Sequence, residues 1–483
     1  MSRASKNGPP PSLAGARVTV MGIGRFGGGV GVIRHLLARG ASVIATDVLD
    51  ASALSDSLAM LERLDGRDRL ELRLGGHARR EFVETDLVVA NPAVRSPWSN
   101  EWLAAARTAG VPITTEIRLA IDALPGRRFI GVTGTVGKSS TASMIHHALG
   151  RLGVETALGG NIGGSLLDEV DAIPARSWVV LELSSFMLHW LGEDARPWSP
   201  EVAVLTNLRP NHLDWHGEFG HYVASKGRIV AHQQTPRLVT AFGTEDPAGA
   251  RAAATAGGDW WTSPSTEGDE ILRAIDLDSI SLLIPGPHQR RNARLALATA
   301  ALACRLEGRE VARSELRAAL ADFRGLPHRL EALPSRRGLL FVNDSKSTTP
   351  ESTLLAIESL GDPSRVHLIA GGADKGIDLA SIRDRAGSLA GLYAIGVTAA
   401  QLAGGSRARL SGTLRQAVAD AAARMSPGDV LLLSPGCASW DQFTDYRARG
   451  EAFAAAVIEV FGAGEQGDRA TDAPDRAATA LSR

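Results

Sequence analysis

The stretch Phe129-Ile-Gly-Val-Thr-Gly-Thr-Val-Gly-Lys-Ser-Ser-Thr141 decides how the chain folds. The apolar run from Arg128 to Val132 predicts a buried strand, and Thr141-Ala-Ser-Met-Ile-His-His-Ala-Leu149 predicts a helix. Between them lie Gly134, Thr135 and Gly137, then Lys138, Ser139 and Ser140. Strand, glycine turn and helix N-terminus together make a phosphate cradle. Small residues let backbone N–H groups approach anionic oxygens, and the helix dipole favours the charge. Lys138 is then placed to neutralise terminal-phosphate charge, and the Ser139 hydroxyl to bind Mg2+. The strict pattern wants a glycine where Val132 stands; here the glycines fall at 131 and 134, so the loop is a variant nucleotide-triphosphate cradle.

Composition sets the frame around that loop. At 483 residues the chain exceeds one core, and a prior of about 150 residues per domain suggests three. With 44% hydrophobic and 22% charged residues it reads as an ordinary globular protein, and a net charge of -1 gives no electrostatic case for nucleic acid or an anionic membrane. Cys304 and Cys437 are far apart and lack metal-ligand spacing, which fits a reducing cytosol rather than a disulfide scaffold. Met1 to Pro11 lacks the apolar run of a signal peptide, and the apolar run Leu295 to Cys304 is far too short to span a bilayer. The expectation is a cytoplasmic protein.

N-terminal to the loop, Arg17 to Met21 predicts a strand followed by Gly22-Ile-Gly24-Arg-Phe-Gly27 and a helix. A second strand, Val43 to Thr46, ends in Asp47, about 20 residues after Gly27, which completes a dinucleotide fingerprint. Alone it suggests a nicotinamide or flavin oxidoreductase. With a second nucleotide site beginning at residue 129, a glycine turn for a non-redox diphosphate is at least as good a reading.

C-terminal to the loop, Gly159-Gly-Asn161-Ile-Gly-Gly164 is a glycine loop carrying one amide. Trp178 to Leu181 is an apolar strand ending in Glu182, and a buried-strand carboxylate is costly unless it meets a cation. Beside a phosphate cradle that cation is Mg2+, which takes carboxylates and phosphates together. His212 follows the apolar strand Val202 to Asn207 and is a candidate metal or substrate contact; Asp214 and His216 read equally as turn formers. Lys226 lies in the helical pattern His221 to Arg228 and, by its residues alone, reads as a solvated charge. Residues 243–282 carry no pattern with chemistry in it. His288 and Asn292 share a face if the helix over Ala293 to Cys304 begins early; Asn292 is then an adenine contact or simply a cap.

Further on, three apolar strands end in polar clusters: Gly338 to Val342 before Asn343-Asp344-Ser345-Lys346-Ser-Thr348, Val366 to Ala370 before Gly371-Gly-Ala-Asp374-Lys375, and Asp429 to Leu433 before Ser434-Pro-Gly-Cys-Ala-Ser439-Trp-Asp441-Gln-Phe443. Clusters at the C-terminal ends of strands are where open α/β sheets bind ligands, so they predict an anion site. The tail from residue 466 to 483 has no apolar face and is expected to be disordered.

These motifs, from GVTGTVGKSS through GGNIGG, LELSSF, NLRPNHLDWHG, GLPHR, NDSKST, GGADK and LSPGCASWDQF, resemble the Mur ligase family of ATP-dependent amide-forming enzymes of peptidoglycan precursor synthesis. Within that family they look like the branch that adds glutamate, most often D-glutamate, to UDP-N-acetylmuramoyl-L-alanine through an acyl phosphate. The resemblance implies an α/β protein of three domains: a Rossmann-like domain for the UDP substrate (1–124), a central P-loop ATPase-type domain with a mostly parallel sheet (125–326), and a C-terminal Rossmann-like domain for glutamate (327–465). It implies ATP and two Mg2+ ions; a monomer is a separate expectation. It places Gly134, Thr135, Gly137, Lys138, Ser139 and Ser140 on ATP phosphates, with Glu182 and His212 in the metal-substrate region. Lys226 matches the family's carbamylated lysine, reversing its reading as a solvated charge. His288 and Asn292 match the adenine motif; Arg329, Asp344 and Lys346 match residues reaching ATP; Thr348, Lys375, Ser439 and Phe443 match those around the incoming glutamate. Val136 stands where most members carry Asn, and the residues near Phe26 and after Asp47 are not the usual polar uracil contacts. UDP recognition would then rest on backbone amides of residues 24–27, Gly24 and Gly27 among them, and on Asn161. A variant accepting L-glutamate would need changes only around Lys375 and Ser439.

Overall fold

The computed structural model describes residues 12–462 except 25–27, 163–164, 195, 258–259, 263–265, 277–279, 281, 285–286, 375, 377 and 405–406. The expectations for Phe26, Gly27, Lys375 and the 466–483 tail therefore fall outside the described residues. The chain is a mixed α/β protein that divides into two compact units: residues 1–276 with 294–316, and residues 277–293 with 317–483.

The first unit holds two five-stranded sheets. β1 (Arg17–Met21), β2 (Ser42–Asp47), β3 (Leu70–Leu74), β4 (Leu87–Ala90) and β5 (Ile113–Thr114) lie in the order β3-β2-β1-β4-β5. β6 (Arg128–Thr133), β7 (Thr156–Gly160), β8 (Trp178–Glu182), β9 (Val202–Leu205) and β10 (Leu238–Thr240) lie in the order β10-β9-β6-β8-β7. Every pairing in both sheets is parallel. Parallel strands buried on both faces read as continuous apolar runs, and β8 and β9 are buried along their whole length. One cluster of buried apolar residues, including Val20, Leu36, Leu181 and Leu205, runs through both sheets. Residues 243–282, patternless in sequence, include the helices Pro247–Gly257 and Thr266–Ala274.

The second unit holds one sheet: β11 (Glu331–Arg336), β12 (Leu339–Asn343), β13 (Val366–Gly371), β14 (Gly391–Ile395), β15 (Arg409–Gly412) and β16 (Val430–Leu433), ordered β11-β12-β16-β13-β14-β15. Only β11 runs antiparallel to its neighbour. The period of two along β13 sends Val366, Leu368 and Ala370 into one core and Ile369 into the other. The strands that end in the three polar clusters, β12, β16 and β13, are immediate parallel neighbours, so the clusters share one edge. No helix among the described residues is long and apolar enough to cross a membrane. Cys304 and Cys437 are both buried and free.

Candidate active site

The phosphate cradle forms where β6 meets the helix Lys138–Arg151. Gly134 has φ 142°, and a Cβ there would run into the Thr206 hydroxyl; Gly137 has φ 88° and caps the helix. The turn is clamped by a residue the sequence did not single out. The Asn207 backbone carbonyl accepts from Thr135 N at 2.9 Å and its side-chain Oδ1 from Val136 N at 3.0 Å, while its Nδ2 donates to the Val136 carbonyl at 2.8 Å. Thr206 Oγ1 donates to the same carbonyl at 2.7 Å. Both polar backbone atoms of Val136 are thus held, and its side chain is 55% exposed. The loop keeps its shape through backbone contacts, which is how an apolar residue fits at 136. Lys138 Nζ donates to the Thr135 carbonyl at 2.8 Å, Ser139 is buried, and Ser140 is partly buried.

Glu182 ends β8, the neighbour of β6, and is 2% exposed. Oε1 accepts from Asn161 Nδ2 at 3.2 Å; Oε2, also buried, meets no donor among the described residues. Asn161 is pressed onto it by the preceding turn: Gly160 has φ 90°, a Cβ there would strike the Glu182 carbonyl, and Asn161 N donates to that carbonyl at 2.8 Å. A buried carboxylate with an oxygen to spare fits a cation. Among the described residues no three His, Cys, Asp or Glu side chains converge as a ready-made metal nest. That donor set suits Mg2+, which completes its shell with phosphate and water, better than a transition metal.

Lys226 is 1% exposed, which overturns its reading as a solvated charge. It lies on the helix Phe219–Gly227, donates to Thr133 Oγ1 at 3.3 Å, and its Nζ stands 4.7 Å from the centre of the Tyr222 ring. Burial, and then the charge of Lys138, push its pKa well below the usual lysine value against the opposing pull of Glu182. A neutral buried amine is the form that adds CO2. His212 has φ 52° and precedes the one-turn helix Leu213–His216. Its pKa is lowered by partial burial, then by the charges of Lys138 and Lys226, so these groups face one electrostatic environment.

The first sheet forms a cavity of about 460 Å³ at the C-terminal ends of β1, β2 and β4, lined among others by Met21, Gly24, Asp47, Val48, His77 and Trp102. Asp47 does not present its carboxylate to a ribose as the fingerprint suggested. Oδ2 accepts from Ile23 N at 2.8 Å and Gly24 N at 3.1 Å, and Oδ1 from Leu49 N at 2.9 Å. The acid fastens the glycine turn, and the Gly24 amide is committed to it.

In the second unit His288 and Asn292 lie one turn apart inside the helix Pro287–Leu306, so Asn292 is not a cap. Asn292 is buried, with Nδ2 donating to Gln289 Oε1 at 3.3 Å, and burial lowers the His288 pKa. Asp344 follows β12; burial raises its pKa to about 7, against bonds from Ser434 Oγ at 2.8 Å and Leu330 N at 3.1 Å and the charge of Arg329. Lys346 is exposed, with Nζ 3.2 Å from the Tyr446 hydroxyl. Thr348 is partly buried, Ser439 buried, and Phe443 packs against the core. Sequence reasoning missed the residue that binds two of these loops together. Arg449, 1% exposed, donates to Ser345 Oγ at 3.0 Å and Ser345 O at 2.8 Å, and at 3.1 Å to both the Cys437 and Ala438 carbonyls. An arginine in a helix has no periodic signal that separates this position from a surface one.

Comparison with known proteins agrees with this geometry. Residues 132–300 match the model of the Mur ligase middle domain, and residues 328–437 that of the Mur ligase glutamate ligase domain. A UDP-N-acetylmuramoylalanine--D-glutamate ligase of Acidobacterium capsulatum is 35% identical over 93% of this chain and 98% of its own length. A protein of the same name from Sphingopyxis alaskensis is 37% identical over 94% and 99%. Two solved structures share the fold: the MurF ligase of Thermotoga maritima in complex with ADP (TM-score 0.52, 20% identity, covering 93% of this chain and 94% of that one) and the UDP-N-acetylmuramate-alanine ligase MurC of the same organism (TM-score 0.51, 18% identity, 92% and 99%). These relatives are ligases, and the oxidoreductase reading of the glycine turn finds no support among them. The chain belongs to the Mur ligase family.

Proposed function

We propose that this chain is the cytoplasmic, ATP-dependent ligase that joins D-glutamate to UDP-N-acetylmuramoyl-L-alanine in peptidoglycan precursor synthesis. The observation that carries the reading is the convergence of the phosphate cradle with a buried, half-satisfied carboxylate at Glu182 and a buried lysine held below its ordinary pKa at Lys226. The names of relatives 34–37% identical over nearly their whole length support the choice of substrates.

The alanine carboxylate oxygen bonds the γ-phosphorus of ATP as the bond to ADP breaks. The glutamate nitrogen, having lost its ammonium proton, then attacks the acyl-phosphate carbon; the C–O bond breaks to release inorganic phosphate, and the nitrogen gives up a second proton to the phosphate or solvent to leave the amide. Both steps bring anions together, so catalysis rests on positive charge and positioning. Two Mg2+ ions, when bound, supply most of that charge. Ser139, Glu182, His212 and a carbamylated Lys226 are the residues we assign to them, the carbamate giving Lys226 the carboxylate it lacks. Lys138 and the amides of Gly134, Gly137, Lys138, Ser139 and Ser140 hold ATP phosphates, with Thr135 shaping the loop while its own amide is tied to Asn207. His288 and Asn292 are assigned to adenine, Arg329, Asp344 and Lys346 to ATP, and Thr348, Lys375, Ser439 and Phe443 to glutamate. We assign residues 1–124 to the Rossmann-like UDP-substrate domain, with Gly27, Asn161 and the open α-carbon face of Gly24 (its amide being held by Asp47) as contacts, 125–326 to the ATP domain and 327–465 to the Rossmann-like glutamate domain of a monomer.

The test is phosphate release from ATP in the presence of UDP-N-acetylmuramoyl-L-alanine, with D- and L-glutamate supplied in parallel and the product identified by mass. Release that requires D-glutamate is expected. Release with L-glutamate alone would correct the stereochemistry, and none with either would refute the function.

A further inference from the structure

The one-turn helix Leu213–His216 is too short to be stable alone, so its place is set by what packs on it. Those contacts come from two sides. On the side of the cavity, the Trp215 indole N–H donates to the Val94 carbonyl at 2.9 Å, and Arg95 lies 3.4 Å from Asp214. Val94 and Arg95 both line the cavity. Trp98, from the same loop and 48% exposed, stands edge-on to Trp215 at 5.5 Å and to His221 at 4.8 Å. The exposed ion pair contributes little; the buried indole contact is the specific one.

On the other side, Phe186 stacks on Trp215 with ring centres 4.5 Å apart and meets His212 edge-on at 5.0 Å. His216 Nε2 is 2.9 Å from Ser185 Oγ, and its Nδ1 is 3.0 Å from His221 Nδ1. Ser185 opens the helix that follows Glu182, and His221 lies on the helix that carries Lys226. The wedge of Trp215 and Trp98 therefore has the cavity wall on one flank and the supports of His212, Glu182 and Lys226 on the other.

We infer that Trp215 is a positioning residue that couples occupancy of the first-sheet cavity to nucleotide binding at the phosphate cradle, through its bond to Val94 and its ring contact with Trp98 of the same loop. A ligand that fixes the 91–98 loop fixes the helix 213–216, and with it the αL residue His212. The inference rests on the proposed function, in which the cavity takes the UDP end of one substrate and the cradle takes ATP. Coupling of this kind is reciprocal: whatever factor one ligand adds to the affinity of the other, it receives in return.

The experiment uses the full chain and titration calorimetry with a non-hydrolysable ATP analogue and Mg2+, with and without saturating UDP-N-acetylmuramoyl-L-alanine, in the wild type, Trp215→Phe and Trp98→Ala. In the wild type the second ligand is expected to tighten the first by about fivefold or more, whichever is added first. In Trp215→Phe, which keeps an aromatic ring and loses the donor, that factor should fall below about twofold while each ligand alone binds within about twofold of wild type. A purely structural tryptophan would lower the melting temperature and leave the factor alone. Trp98→Ala, at a half-exposed position, carries the same expectation if Trp215→Phe does not fold. Coupling that survives in the folded variants, or a wild type that binds both ligands independently, overturns the wedge and leaves the ligase reading intact. A wild type that binds neither ligand overturns both.

Discussion

Replacing Lys226 with methionine should make the protein more stable and catalytically dead. The side chain is 1% exposed, and an ammonium there would have three N–H donors to satisfy. One reaches Thr133 Oγ1 at a long 3.3 Å, the Tyr222 ring lies 4.7 Å away, and the charge of Glu182 acts without a hydrogen bond to Nζ among the described residues. An unsatisfied buried donor costs about 1–3 kcal/mol, and the chain avoids part of that by giving up the proton. Methionine fills a similar volume with no donor, so the variant should gain about 1–3 kcal/mol. For a unit of this size that is about 2 °C or more in melting temperature. The pH dependence supplies the sign. An unfolded lysine keeps its proton to about pH 10.4, whereas the folded one loses it well below that. Between the depressed folded pKa and about 10.4 the unfolded chain binds more protons, so wild-type stability rises with pH through that window. The methionine variant should lack that slope. The assay is thermal and urea unfolding from about pH 8 to about pH 10 in buffer stripped of CO2, to keep the amine free. A methionine variant that is less stable than wild type, or one that retains the slope, would refute the account of Lys226 as a mis-solvated amine.

Three further outcomes follow from the same geometry. Glu182→Gln keeps the acceptor facing Asn161 and removes the charge behind the orphaned oxygen; turnover should fall by roughly a thousandfold or more, and Mg2+ should no longer tighten nucleotide binding in calorimetry. Asn207→Ala deletes two side-chain bonds to Val136, together about 1–3 kcal/mol, so the KM for ATP should rise about tenfold while the KM for the UDP substrate holds. Asp344, with its folded pKa raised to about 7, binds more protons folded than unfolded between about pH 4 and pH 7. Stability of the second unit therefore falls as pH rises through that range, and Asp344→Asn should flatten the fall when amide exchange of β12 and β16 is followed. An unchanged pH slope would show that its carboxyl is not mis-solvated.

Much of the fold was legible because parallel strands buried on both faces leave continuous apolar runs, and β6, β8, β9, β13 and β16 were each found that way. The motif endings were legible for the same reason, since they mark where those runs stop. Sheet order was not: nothing in the chain says that β16 inserts between β12 and β13, although that insertion makes three polar clusters adjacent. Lys226 was read as solvated from its residues because a lone lysine in a helical pattern carries no trace of Thr133 and Tyr222 closing over it. Asp47 was read as completing a dinucleotide fingerprint because spacing shows where a carboxylate lies and not which amides it accepts from. The helices of 247–257 and 266–274 went unread because an Ala- and Gly-rich segment offers little contrast between faces.

The groups that break local rules are concentrated at strand ends and the loops that follow. Glu182 ends β8 with a buried oxygen that meets no donor among the described residues, Asp344 follows β12 with a raised pKa, and His212 follows β9 in the left-handed region at φ 52°. Lys226 opposes the end of β6 through Thr133. Each would be cheaper as another residue: glutamine, asparagine, glycine and methionine respectively. The strands beneath them are mostly apolar and, apart from Arg128 and Leu340, buried, so the sheets have stability to spare where the chain has none locally. If these four departures are functional, the four replacements should share one signature, unchanged or increased stability with activity lost. Residues that build the frame should show the opposite. Arg449→Met leaves Ser345 Oγ and three carbonyls without their donor, and should cost about 3 kcal/mol or more. A replacement at Glu182 or Asp344 that unfolds the protein as readily as one at Arg449 would show that the strand-end groups hold the structure rather than its chemistry.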